Sequence, residues 1–327
     1  MRALFRCGWL KTRSRSRARP SWSPSSTCTL VIMSDAAAVS LDAWWQLGQR
    51  EQVRASDGST QELFVIDAGQ GPPLTLLHGY PGSSHDFAGL FKALCTDHRV
   101  LAPDLLGFGA SSKPAPHEYS IAEQADLVAQ LWERRGITST VLVAHDYSAS
   151  LAQELLASPR GMTFTCCALL NGGVYPDLHR PTLGQQLLLS EEGPAVAQSM
   201  TEQLFCDGVA QTFGSRHPAT PAELQDLWRA MTLEAPSTQM ATMLHYVADR
   251  RANASRWTAA LERTSIPTIF VWGPEDPVSG AHMLERIKER CSKGTIVELD
   301  GVGHWPSIEA PGEVASSLRS FLEHHRA

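Results

Sequence analysis

Apolar residues in this chain gather into short runs that stop at turn residues. They are "ELFVIDAG" (62–69), "PLTLLHG" (73–79), "HRVLAPDLLG" (98–107), "TSTVLVAHD" (138–146), "FTCCALLNGG" (164–173), "IPTIFVWG" (266–273) and "TIVELDG" (295–301). Most show no polar alternation, which is the pattern of strands covered on both faces. Between them lie stretches of helical period, such as "SIAEQADLVAQLWERRG" (120–136), "SASLAQELLAS" (148–158) and "GEVASSLRSFLEHH" (312–325). Strand and helix alternate, so the expected class is α/β, with a mainly parallel, doubly wound sheet.

The rhythm breaks between Val174 and Ala254. No strand pattern occurs there, and "QQLLLSEEG", "PAVAQSMTEQLF", "PAELQDLWRAMT" and "TQMATMLHYVADRR" read as helices. The expected organisation is a core of residues 45–173 and 255–327, with residues 174–254 inserted as a helical cap. A cap of this kind excludes water and shapes a pocket above a sheet edge.

Composition changes the picture mainly at the N-terminus. The chain is 43% hydrophobic and 19% charged, with a formal net charge of −6. Seven of its 28 basic residues (Arg2, Arg6, Lys11, Arg13, Arg15, Arg17 and Arg19) fall within residues 1–34, which contain no acid. The rest of the chain carries 21 basic residues against all 34 acidic ones. That balance argues against nucleic acid as a partner. Residues 1–34 cannot build a core and are expected to be a disordered or targeting extension. Met33 opens "MSDAAAVS", an ordinary protein start, so an untranslated extension is the other reading. The expected compartment is accordingly the cytoplasm, or an organelle matrix if the extension is a transit peptide. No run approaches the roughly 20 apolar residues of a membrane span. The seven cysteines are odd in number and show no CxxC; neither a disulfide framework nor a zinc site is expected, and Cys166 and Cys167 read as buried thiols.

The candidate chemistry starts at "VLVAHDYSAS" (141–150). Asp146 follows a strand, precedes a helix, and has small residues, Ala144 and Ser148, two positions to either side. That is the nucleophile-elbow pattern, in which a tight turn exposes a reactive side chain at the sheet edge. The other reading of Asp146 is a helix N-cap. Asp276, in "FVWGPEDPV", and His304, in "VELDGVGHWPSIEAP", each come just after a strand. Singly they read as a turn residue and a loop histidine. Together with Asp146 they give the order nucleophile, acid, histidine. The loop after "LLHGYPG" supplies backbone donors in such sites, and so does the residue after the nucleophile. The amides of Tyr80 and Tyr147 are therefore the candidate oxyanion hole. "DLLGFGASSKP" (104–114) is not GxGxxG and reads as a structural turn.

"HGYPGSSHDF", "LAPDLLGFGASSKPAPHEYSIAEQA", "AHDYSASLAQELL", "LNGGVYPDLHRP" and "FVWGPEDPV" together resemble the epoxide hydrolase and haloalkane dehalogenase branch of the α/β-hydrolase fold family. Within that branch the chain looks most like the mesoderm-specific transcript protein group. The resemblance spans about residues 45–325 and is weakest over the helical insertion. It implies an aspartate nucleophile in "HD(aromatic)G"; here Ser148 stands where that motif has glycine. It also implies tyrosines in the cap that protonate an opened epoxide. Tyr246 is similar in spacing to the second of these, with packing beside Met243 as its other reading. Tyr175 does not match the first.

An aspartate nucleophile restricts the chemistry. Attack on saturated carbon leaves an ester, which a histidine-primed water can hydrolyse. Attack on an ester carbonyl would leave an anhydride. A halide leaving group needs N–H donors, and the residues at those places are Tyr147 and Tyr80; an alkoxide needs an acid such as tyrosine. The expected function is thus epoxide hydrolysis to a diol, on a small apolar or amphipathic substrate, with no cofactor and no metal. Dehalogenation of a haloalkane or haloacid is the second reading. A non-catalytic binding module of hydrolase fold is the third.

Overall fold

The computed structural model describes residues 39–325. The expectations for residues 1–34, including Cys7 and Cys28, lie outside the described residues. In chain order the first half contains α1 (Leu41–Leu47), β1 (Gln49–Arg54), β2 (Thr60–Ala68), β3 (Pro73–Leu77), α2 (Ala88–Leu94), β4 (Arg99–Pro103), α3 (Ile121–Arg134), β5 (Ser139–His145), α4 (Tyr147–Ala157) and β6 (Thr163–Leu170). Helices α5 (Leu183–Leu188), α6 (Gly193–Ser199), α7 (Glu202–Ala210), α8 (Pro221–Thr232), α9 (Gln239–Met243), α10 (Tyr246–Ala252) and α11 (Ala254–Arg263) follow without a strand. The chain then closes with β7 (Thr268–Trp272), α12 (Ala281–Arg290), β8 (Thr295–Glu298), α13 (Pro306–Glu309) and α14 (Pro311–His324).

The strands form one eight-stranded sheet in the order β1-β2-β4-β3-β5-β6-β7-β8. β1 and β2 run antiparallel to their neighbours, and the remaining pairs are parallel. The seven apolar runs each contain one strand. β1, "QREQVR", is an addition: it is an edge strand with only Val53 buried, so it has no apolar run to betray it.

Successive strand residues serve two different cores. In β5, Val141 and Val143 join a cluster with α1, α2 and α14, while Leu142 and Ala144 join one with α3, α4 and α12. β6 and β7 alternate in the same way, through Ala168 against Leu169 and Val271 against Trp272. Covering both faces removes any need for polar alternation. Each fully buried residue such as Leu142 contributes about 1.5–3 kcal/mol relative to an exposed one. Even the polar atoms here are paired: Trp132 Nε1 donates to Thr75 Oγ1 at 2.9 Å, and Thr75 Oγ1 lies 3.1 Å from Thr140 Oγ1.

The helical excursion between β6 and β7 is held by its own caps and by shared apolar contact. Thr182 and Thr220 close reciprocal capping boxes with Gln185 and Glu223. Leu227, Met231, Met243, Tyr246 and Val247 join the cluster that covers α3 and α4. Helix α11 returns to α4, where Trp257 Nε1 donates to Glu154 Oε2 at 2.7 Å. Among the described residues no helix is long and apolar enough to cross a membrane.

Candidate active site

Parallel register brings the chemistry to one edge. Leu77 of β3 pairs with Ala144 of β5, His145 with Leu170 of β6, and Leu170 with Val271 of β7. The loops that leave these strands carry Tyr80, Asp146, Asn171 and Asp276. This is the carboxyl edge at which open α/β sheets bind ligands.

Asp146 turns β5 into α4 with φ 47° and ψ −106°. A non-glycine residue held there costs on the order of 1–3 kcal/mol, which the surroundings must supply. Two glycines make room for it. A methyl on Gly79 would lie 2.7 Å from Asp146 Cβ, and one on Gly172 would lie 3.1 Å from the Asp146 carbonyl and 2.7 Å from Ala149 Cβ. The Asp146 amide donates to the Asn171 carbonyl at 2.7 Å. Ser148 is fully buried, and its hydroxyl donates to the His78 carbonyl at 2.5 Å. The side chain that replaces glycine therefore ties α4 to the end of β3.

Asp146 sits at the N-cap position of α4, yet its side chain makes no capping hydrogen bond. Oδ1 instead accepts from the Tyr80 amide at 2.9 Å, and Oδ2 lies 3.6 Å from His304 Nε2. His304 Nδ1 is 2.9 Å from Asp276 Oδ2. Asp276 also accepts from the Val278 amide (2.7 Å), Ser279 Oγ (2.6 Å) and Asn171 Nδ2 (3.0 Å). Burial alone would raise the pKa of Asp276, but the charge and hydrogen bond of His304, with the other donors, hold it far below the usual carboxylate range. Burial alone would lower that of His304; the charge of Asp276, its hydrogen bond, and the charge of Asp146 outweigh this and lift it to about 9.

The loop that carries His304 is fixed independently of its ring. Its amide donates to the Thr212 carbonyl at 2.8 Å, and its carbonyl lies 2.7 Å from His145 Nε2. Burial and then the neighbouring His304 charge push His145 down to about 4, so its ring is neutral and Nε2–H donates. Glu309 gathers the amides of Gly214, Gly303 and Trp305 at 2.8–2.9 Å. His78 is also neutral in function: Nε2 accepts from the Leu105 amide and Nδ1–H donates to the Gly79 carbonyl, which fixes the tautomer.

Tyr246, from α10, reaches the same region. It is 1% exposed, its ring centroid lies 4.6 Å from that of Tyr147, and the Arg250 guanidinium acts on its hydroxyl by charge and a side-chain hydrogen bond. Burial, and next the Asp146 charge, raise its pKa, so the phenol keeps its proton. Tyr147 opens α4, with its ring against Phe108. Tyr80 couples two layers, since its hydroxyl donates to the Met240 carbonyl at 3.2 Å. Tyr175 is engaged elsewhere, with its hydroxyl 3.3 Å from Glu262 Oε1 and 3.6 Å from Cys291 Sγ.

Asp146, Asp276, His304 and the Tyr80 amide thus form one connected set, with Tyr246 and Tyr147 beside it. Sequence reasoning missed Asn171, Ser279, His145 and Thr212. Asn171 has φ 23°, and "NGG" at the end of an apolar run signals such a turn. His145 is the first residue of the "HD(aromatic)" motif, which signals its place but not its bond to the His304 carbonyl; Ser279 and Thr212 have no sequence signal. Cys166 and Cys167 are buried, and burial raises their thiols to about 11 and about 12. Among the described residues no group of three or more His, Cys, Asp or Glu is arranged to hold a metal ion.

Known proteins agree with this architecture. A mesoderm-specific transcript homolog protein of Bos taurus is 36% identical over 264 residues, 76% of this chain and 78% of that protein. The putative hydrolase LipZ of Mycobacterium tuberculosis is 35% identical over 268 residues, 80% of this chain and 92% of that protein. Among solved structures, the epoxide hydrolase CorEH superposes with a TM-score of 0.68 at 19% identity, covering 85% of this chain and 100% of that one. The family model for the alpha/beta hydrolase fold matches residues 72–311. With an elbow at Asp146, a mainly parallel eight-stranded sheet and that match, the chain belongs to the α/β-hydrolase fold family.

Proposed function

We propose that this protein hydrolyses epoxides to diols through a covalent ester on Asp146. One observation carries the reading: the Asp146 carboxylate is divided, with Oδ1 held by a backbone amide and Oδ2 turned to a histidine that a second buried aspartate orients. Residues 174–254 serve as the cap, bringing Tyr246 within electrostatic reach of Asp146, linking to the Tyr80 hydroxyl through the Met240 carbonyl, and excluding water.

The steps balance as follows. In the resting site Asp146 is ionised, His304 is protonated and Tyr246 is a phenol. Oδ2 attacks the less hindered epoxide carbon, the C–O bond breaks, and Tyr246 gives its proton to the departing oxygen. Esterification removes the Asp146 charge, one of the influences that keep His304 protonated. The imidazolium then returns a proton to the Tyr246 phenolate and becomes a base. It takes a proton from water, and the resulting hydroxide attacks the ester carbonyl carbon. The oxyanion forms on Oδ1, against the Tyr80 amide and the amide of Tyr147 at the head of α4. Collapse releases the diol and restores the charged pair. Each proton-transfer role contributes about 10²–10⁴ in rate.

His304→Gln separates the two steps. Incubated with styrene oxide, it should gain one covalent adduct of the full epoxide mass on Asp146, detected by intact-protein and peptide mass spectrometry. In oxygen-18 water, a single turnover of the wild type should label Asp146 and leave the diol unlabelled. Label in the diol, or no adduct on any of a panel of aryl, alkyl and fatty epoxides, ends the proposal. Bromide release from bromoalkanes would replace it with dehalogenation.

A further inference from the structure

Arg250 is the least expected group in the molecule. It is 1% exposed, yet no carboxylate pairs with it among the described residues. Its Nε donates to Ser150 Oγ at 2.8 Å, and its Cζ lies 4.7 Å from the Tyr246 ring centroid. Nη1 and Nη2 meet no carboxylate or carbonyl in hydrogen-bonding geometry, and the guanidinium's charge and a side-chain hydrogen bond act on the Tyr246 phenol. A buried guanidinium whose fork meets no anion is costly, and natural cores avoid it unless an anion completes it.

The surroundings are shaped for this fork. A methyl on Gly173 would lie 1.9 Å from Nη1, so only glycine lets the guanidinium sit there. Gly172, the preceding residue, is the one packed against the Asp146 backbone. Arg250 therefore lies one residue away from the wall of the nucleophile. His179 stands close by, with both ring nitrogens buried and unpartnered. Burial and then the Arg250 charge push its ring down to about 4, and it also senses Asp146 and Asp276. A neutral His179 offers one more N–H beside the fork. The Arg250 fork and the His179 ring thus lie together beside Tyr246, within electrostatic reach of Asp146, with no anion to complete them among the described residues.

We infer that Arg250, assisted by His179, binds a carboxylate on the substrate, so that the natural substrates are short electrophiles bearing a carboxylate, such as epoxy acids. The inference rests on the reading of Asp146 given above. The planar fork of two N–H groups matches a carboxylate in bidentate fashion, which lysine cannot reproduce. Nothing in the reaction consumes this anion; it fixes the electrophilic carbon relative to Oδ2.

The test uses the full chain and an unreactive probe. Calorimetric titration should show that the wild type binds sodium butyrate and not butyramide. Arg250→Met should weaken butyrate at least about 100-fold, the loss expected when two charge-assisted hydrogen bonds disappear. Arg250→Lys, which keeps the charge and guards against misfolding, should bind butyrate at an intermediate level. For turnover, kcat/KM for glycidate should exceed that for glycidamide in the wild type, the advantage should vanish in Arg250→Met, and the change should fall on KM. A wild type that binds butyrate no better than butyramide overturns the inference. So does an Arg250→Met protein that keeps the preference while losing thermal stability, the result of a merely structural arginine, or binding of bromide alone. Butyrate bound through Arg250 with no epoxide adduct in His304→Gln would leave the anion site standing and remove the Asp146 mechanism. Equal turnover of acid and amide, with the adduct present, would do the reverse.

Discussion

At the scale of single residues, the site is a set of charges whose balance depends on pH. His304 titrates near 9 in the folded chain and near 6.5 when unfolded, so its contribution to stability is complete below pH 6.5 and is lost as pH rises through 9. The expected loss is on the order of a few kcal/mol over that window. Urea denaturation at pH 6, 7.5 and 9 measures it, and His304→Gln should flatten the dependence. Asp276 acts in the opposite sense: its contribution is present above the unfolded carboxylate range and is lost in acid. Ser148 gives a separate test of the elbow. Ser148→Gly removes the bond to the His78 carbonyl and places glycine in the first turn of α4, for an expected cost of about 1–2 kcal/mol in denaturation. Stability unchanged within 0.5 kcal/mol, roughly the spread of neutral surface substitutions, would show that the hydroxyl is idle.

At the scale of elements, the strands that enclose the site were legible because their burial on both faces writes an apolar run into the sequence. β1 was not, because a polar edge strand needs only Val53 in the core. That Asp146, Asp276 and His304 come together was legible because each follows such a run. Ser279 and Arg250 were not, since hydrogen bonding and burial across loops leave no periodicity, and at Asn171 only the turn was signalled, not its bond to Asp276. The junction of α4 and α11 is one such loop-spanning contact. Glu154 is buried there and accepts from Trp257, Arg160 and Arg256. Burial would raise its pKa, but the hydrogen bonds, from Arg256 first, bring it below the usual range. Glu154→Ala leaves those donors unpaired, and its expected cost is about 2–4 kcal/mol, discounted from a fully buried pair because Arg256 is part-exposed. The adduct assay on the folded fraction should be unaffected. An adduct rate that falls together with stability would mean that α11 also positions the site.

At the scale of the whole molecule, the helical insertion and the sheet share one apolar cluster. Met231, Met240 and Met243 stand in the same continuous packing as Leu127, Leu151 and Phe270. One cooperative unfolding transition is therefore expected, with tryptophan fluorescence and far-ultraviolet circular dichroism giving the same midpoint. Two separated midpoints would assign the insertion its own stability. The division into strands, helices and an all-helical interval was readable from periodicity, whereas the mutual orientation of insertion and sheet depends on side-chain packing that no local pattern encodes.

Tyr80 touches both parts at once, with its amide on Asp146 and its hydroxyl on the Met240 carbonyl. Any swing of α9 that widens the approach to the sheet edge must either snap that outer link or tug the loop. Admission of a molecule and the grip on Oδ1, where the oxyanion of the proposed second step would form, are then geared to one another, and the gear ratio is set by a single phenol ring.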